Sequence, residues 1–140
     1  MRFALLVFTC AVLGCNRYEY RLPATGASLE GTITYRGETV QMAQIDVLGE
    51  KGQAIGQIEN GRYKVENAPL GQVKIAVNTE AVRSNMIGQQ MARAKGVASS
   101  SAPKFVSVPA KYWDTETSGL TTEIKKGKNS YDIVLTPAGK

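Results

Sequence analysis

From Ser28 onward, apolar and polar residues alternate in short runs, each closed by turn-forming residues. Leu29 to Tyr35 (LEGTITY) is the first such run, and Arg36-Gly37 turns the chain after it. Gln44–Leu48 and Ala54–Glu59 come next, parted by Gly49-Glu50-Lys51-Gly52. Asn60-Gly61 is the strongest hairpin signal, because both residue types tolerate positive φ. It leads into Arg62–Glu66, where Tyr63 and Val65 should face inward and the charges outward. Ala68-Pro69-Leu70-Gly71 turns again, and Val73, Ile75 and Val77 alternate with Lys74 and Ala76. Leu120–Ile124 and Tyr131–Leu135 flank Lys126-Gly127-Lys128-Asn129, which predicts a terminal hairpin. Strand and turn signals recurring about every eight to twelve residues are the rhythm of an antiparallel β-sandwich. Seven strands are expected, with room for an eighth.

Thr79 to Lys104 breaks that rhythm. It has few β-formers and ends in Ser99-Ser100-Ser101-Ala102-Pro103. Val82, Met86 and then Gln90 or Met91 fall at helical spacing, so a short helix over part of Ala81–Lys95 fits the pattern. A long insertion of this kind in a compact domain is usually functional or mobile. The chain has 140 residues, 43% of them hydrophobic, with 14 glycines and a net charge of +5, which is one domain's worth of folded protein.

Residues 1–14 do not fit the sandwich. Met1-Arg2 carries a single positive side chain, and Phe3–Leu13 is uncharged and apolar. That run is well short of the roughly 20 residues a spanning helix needs, so it reads as a removable signal. Val12-Leu13-Gly14-Cys15 resembles the bacterial lipobox, with a branched apolar residue three before the cysteine and a small residue just before it. Cys10 follows Thr9 and fails the same test. The other readings of Cys15 have less support. A disulfide lacks a partner once Cys10 leaves, and a metal site lacks clustered ligands in a chain without histidine. An ordinary cleaved secretory signal is the remaining alternative. The expected organisation is a signal over 1–14, a lipidated N-terminus and tether over 15–27, and a folded domain over 28–136 with its insertion at 79–104. Several acyl chains on Cys15 would anchor the chain stably. Asn16 is not the aspartate associated with inner-membrane retention, which favours an outer-membrane or surface destination.

With the strands laid out, Gly31-Thr32-Ile33-Thr34-Tyr35-Arg36-Gly37, Asn60-Gly61-Arg62-Tyr63-Lys64-Val65 and Pro69–Val77 resemble the carboxypeptidase regulatory-like domain. Val108-Pro109-Ala110-Lys111-Tyr112, Ser118-Gly119-Leu120 and Gly127-Lys128-Asn129 are similar to the endings of short bacterial lipoproteins carrying that domain. The resemblance implies a transthyretin-like, seven-stranded Greek-key β-sandwich and an exported, non-catalytic module. Thr39 departs from the proline common after the first hairpin, and Glu59-Asn60-Gly61 from the usual Thr-Asp pair; both fall where turns are expected.

Candidate chemistry is sparse. The hydroxyisourate hydrolases of the transthyretin-like fold look to histidines and a Tyr-Arg-Gly-Ser ending, and this chain has no histidine. Ser–His and Cys–His nucleophilic catalysis lack a base for the same reason. Asp46, Asp114, Glu116, Glu123 and Asp132 leave a carboxylate pair formally open, but most alternate outward, and no enzyme activity is expected. Asp114-Thr115-Glu116-Thr117-Ser118-Gly119 imitates half of a calcium loop, yet Lys125 stands where the bidentate Glu belongs, so a turn is expected and no metal or cofactor. Trp113, the only tryptophan, follows Tyr112 in a loop. The pair either caps one end of the sandwich and fills the core edge or stacks on a sugar ring. The expected function is therefore a lipid-anchored structural or protein-interaction module at the cell envelope. The alternative is a carbohydrate-binding module using Tyr112 and Trp113. A carrier of small molecules would need an oligomeric channel. Partners would be the membrane, through the lipid, and an envelope protein or polysaccharide; the dilute cations of 81–111 and the export signal argue against nucleic acid.

Overall fold

The computed structural model describes residues 24–59, 61–84 and 105–137. Nine strands form along them: β1 (Ala27–Tyr35), β2 (Glu38–Thr39), β3 (Gln44–Gly49), β4 (Gly52–Glu59), β5 (Arg62–Glu66), β6 (Gly71–Asn78), β7 (Leu120–Ile124), β8 (Gly127–Ser130) and β9 (Ile133–Leu135). They make a mostly antiparallel sheet in the order β2-β1-β5-β4-β3-β6-β7, with β8 and β9 also on β1. The sheet curls into a half-barrel, so the all-β expectation holds.

β1 and β3–β6 lie where the alternation put them, because the parity of apolar residues decides which face is buried. Along β5, Tyr63 and Val65 are buried between exposed Arg62, Lys64 and Glu66. Along β1, Ala27, Leu29 and Ile33 point inward. Arg36 and Gly37 take positive φ, 54° and 79°, the two-residue turn whose twist suits a hairpin, and Tyr35 pairs with Glu38 across it. Glu59 pairs with Arg62, and Gly61 has φ 77°; Asn60 itself lies outside the described residues. Ile33, Ile45, Val47, Tyr63, Ile75 and Leu135 form the centre of the core, each contributing about 1.5–3 kcal/mol by burial.

The C-terminal expectation is corrected. Leu120–Ile124 and Tyr131–Leu135 do not pair with each other. β7 pairs with β6, whereas β8 and β9 run parallel to β1. The residues expected to form the turn are largely strand β8. Asn129 redirects the chain. Its side chain accepts from Lys125 N (2.9 Å) and donates to the carbonyls of Lys125 (2.7 Å), Gly127 (3.1 Å) and Ser28 (3.1 Å). The last of these bonds joins the turn to β1. Since β7 and β8 lie at opposite ends of the strand order, Lys125-Lys126 draws the two edges of the curled sheet together at one end.

Between β8 and β9 the chain crosses β1 closely. Tyr131 N donates to the Glu30 carbonyl (2.9 Å), and the Tyr63 hydroxyl donates to the Tyr131 carbonyl. Burial, and then the nearby Asp132 carboxylate, push the Tyr63 hydroxyl pKa far up. Thr32 donates from its backbone N and its hydroxyl to Asp132 Oδ1, both at 2.8 Å. Gly31 lies under this crossing, and a Cβ there would meet the Tyr131 carbonyl oxygen well inside contact distance.

Of the 79–104 insertion, residues 79–84 are helical, with Asn78 Oδ1 accepting from Ala81 N (3.0 Å) as the N-cap. The short-helix expectation therefore holds at its start. Residues 85–104 lie outside the described residues. The points where the chain leaves and returns are held together: Arg83 stands 5.6 Å from the Phe105 ring centroid, and Val108 N donates to the buried Thr79 hydroxyl (3.4 Å).

Gly31→Ala is expected to destabilise the protein by at least about 2 kcal/mol in denaturant unfolding. Val134→Ala, at a side chain 71% exposed on β9, should stay within about 0.5 kcal/mol. The Thr32 backbone N–H, and then its hydroxyl, lower the Asp132 pKa. A carboxylate with a lowered folded pKa contributes stability above its unfolded value and loses it as pH falls through the folded one. Asp132→Asn should therefore show a shallower loss of stability than the parent below about pH 4; equal slopes would contradict the role given to Asp132.

Candidate functional site

Pro109 precedes a 3₁₀ turn, Ala110–Tyr112, that sets the two candidate aromatics before β7. Tyr112 is 4% exposed. Its hydroxyl donates to the Thr136 carbonyl (3.1 Å) and accepts from Thr136 N (3.0 Å), while Lys111 Nζ sits 4.6 Å from its ring centroid. The tyrosine thereby ties the chain after β9 to the segment entering β7, and its ring offers no open face. Trp113 is half-buried and packs against the core. Among the described residues its Nε1 is buried without a hydrogen-bond partner. Such a donor typically costs about 1–3 kcal/mol, which packing of the indole must offset.

The Asp114–Gly119 stretch is a closed turn. Asp114 Oδ1 accepts from Glu116 N (2.7 Å), and the Asp114 carbonyl accepts from Thr117 N and Ser118 N. Glu116 pairs with Lys74 at 2.8 Å. The buried Ser118 hydroxyl donates to the Ile75 carbonyl and accepts from Leu120 N, which docks the turn on β6 and starts β7. The other carboxylates are spread across the sheet: Asp46 receives Gln44 Nε2 on β3, and Asp132 is held by Thr32. Among the described residues, no three acidic, cysteine or histidine side chains gather into a metal-holding group.

Cys15, the residue expected to carry the lipid, and residues 16–23 lie outside the described residues. The chain is first described at Ala24, and there the structure shows a feature missed in the sequence. Ala24 and Thr25 line an open cleft of about 770 Å³ at the end of the sheet where its two edges converge. Its walls are the turn between β3 and β4, the start of β4, the β5–β6 connection and Lys126. Asn67 holds φ 52° there, a left-handed turn that asparagine tolerates, and Pro69 packs against Gly49, where no Cβ would fit. A shallower cleft of about 640 Å³ shares Glu50 and Leu70 and extends to Thr121.

Two large apolar side chains stand open at this cleft, Ile55 at 59% and Leu70 at 43% exposure. Both had a sequence signal. Ala54 and Gly56 face inward, so parity sends Ile55 outward, and Leu70 is an isolated leucine within a turn. Lys51 and Lys126 border the cleft, as do Glu50 and Glu66, the latter paired with Lys64. Among the described residues, no helix is long and apolar enough to cross a membrane. No family model, no curated protein and no solved structure matches the chain.

If Trp113 serves packing, Trp113→Phe should be near neutral or stabilising, because it removes the orphaned donor. Trp113→Ala should cost about 3 kcal/mol in equilibrium unfolding. A Phe variant as unstable as the Ala variant would show that the indole N–H matters.

Proposed function

We propose that this chain is an exported, lipid-anchored, non-catalytic module of the bacterial cell envelope, held at an outer membrane or cell surface through Cys15. The observation that carries the reading is Val12-Leu13-Gly14-Cys15 directly after the short apolar run Phe3–Leu13. The first strand, β1, begins at Ala27, at the end of the 15–27 stretch assigned as lipidated N-terminus and tether. The finer architecture assigned is a transthyretin-like Greek-key sandwich. It is supported by the sharing of β1, whose first half pairs with β5 and β8 and whose second half pairs with β2 and β9.

The contact surfaces of such a module would be the 79–104 segment and a sheet edge. Among the described residues β7 pairs only with β6, leaving one row of backbone groups for an added strand. The clamped ends at Arg83–Phe105 and Thr79–Val108 suit an insertion that presents itself from a fixed base. No catalytic role is assigned, because no histidine is present to act as a base and Asp114 and Glu116 are committed to a turn and to an ion pair with Lys74.

The test is metabolic labelling with a palmitate analogue in a bacterial host. The parent chain should take the label and sediment with membranes. Cys15→Ser should lose the label and retain the signal segment. Labelling that persists in Cys15→Ser, or a parent chain recovered unlabelled from the soluble fraction, would overturn the anchor.

A further inference from the structure

We infer that the end of the sheet carrying the cleft is a membrane-facing surface, with Ile55 and Leu70 seated in the interfacial layer of an anionic bilayer. This rests on the lipid anchor proposed above and adds an orientation and a second contact to it.

Reach is the first reason. Residues 16–23 join Cys15 to Ala24, and a chain of that length spans at most roughly 30 Å when fully extended. Ala24 and Thr25 themselves line the cleft, so the end of the sheet nearest the anchor is the one where the cleft opens. The opposite end is farther away by the length of β1, roughly 20 Å over the residues from Ala27 to Thr34.

Surface chemistry is the second. Among the described residues only Ile55, Leu70 and Val134 are large, apolar and exposed, and two of the three flank this one concavity. They sit on different turns and strands, so no single element's packing accounts for both. An isolated exposed leucine or isoleucine is ordinary. A pair beside a membrane tether gives a small apolar tip at the depth of the headgroup–acyl boundary.

Charge is the third. Lys51 and Lys126 border the cleft, and Lys125 and Lys128, beside Lys126 in the chain, are exposed as well. Anionic headgroups attract lysines held within a Debye length of the surface. Of the two acids at the rim, Glu66 is already paired with Lys64. Glu50 limits the depth, because its carboxylate must remain in headgroup water while the apolar tips enter.

The experiment uses the mature lipidated chain reconstituted in vesicles of phosphatidylethanolamine and phosphatidylglycerol. A single cysteine is introduced by Ile55→Cys, Leu70→Cys or Val134→Cys and carries a polarity-sensitive fluorophore; the acylated Cys15 takes no label. Probes at 55 and 70 should shift to the blue on the vesicles and become open to quenchers dissolved in the bilayer. The probe at 134 should remain aqueous. On uncharged phosphatidylcholine vesicles the shift should shrink. Aqueous spectra at 55 and 70 on a chain that floats with the vesicles overturn the inference and leave the anchor standing. So does a blue shift that grows with protein concentration without vesicles, since a second copy would then cover the patch. A parent chain that does not float, with Cys15 open to the fluorophore, defeats the anchor and this orientation together.

Discussion

Two backbones can approach within hydrogen-bonding distance across a strand only where no side chain stands between them, and Gly31 is that place. The C-terminal segment needs this gap. β8 ends at Ser130 opposite Glu30, the chain steps over Gly31 through Tyr131 and Asp132, and β9 resumes at Ile133 opposite Ile33. The step is fastened from three sides, by Glu30 on Tyr131 N, by Tyr63 on the Tyr131 carbonyl, and by Thr32 on Asp132. With it, β1 is paired along both edges and becomes the interior strand on which both halves of the sheet depend.

That arrangement positions the surfaces to which we assign a function. Because β8 must lie beside β1, the short link from β7 has to carry the chain from one edge of the sheet to the other, and the sheet curls to permit it. Asn129 satisfies the backbone groups that this turn exposes. The convergence leaves an open cleft between the seam, the β3–β4 turn and the β5–β6 connection, with the N-terminal segment entering beside it. The first described residues, Lys51, Lys126 and the two exposed apolar side chains therefore share one end of the sheet. The clamped 79–84 and 105–108 segments carry the long insertion, which our reading gives to protein partners.

Much of this was legible in the sequence wherever the signal was local. Strand parity placed Tyr63, Val65, Val73 and Ile75 in the core because each strand buries one face, and Gly37 marked the first turn because glycine takes positive φ without strain. The C-terminal pairing was not legible. Gly127, Lys128 and Asn129 have turn composition, and their strand partner is about a hundred residues away in β1, so nothing nearby distinguishes a hairpin from a crossover. Gly31 was the available hint, since a glycine inside a strand often marks a close backbone approach. Tyr112 and Trp113 stood out in the sequence with two readings, a cap on the core or a sugar-stacking pair, and the partners of Tyr112 at Thr136 and the burial of Trp113 Nε1 depend on tertiary packing that no local pattern carries. The cleft follows from the curl of the whole sheet, and only Ile55 and Leu70 hinted at it.

The central claim is that this half-barrel is carried on a lipid-modified N-terminal cysteine. Intact-mass spectrometry of the protein extracted from membranes tests it most directly. The account predicts a chain beginning at Cys15 that carries the added mass of a diacylglyceryl group and a further acyl chain, with all of that mass on the N-terminal peptide through Arg17. An unmodified Cys15, or a chain that begins at any other residue, would contradict it.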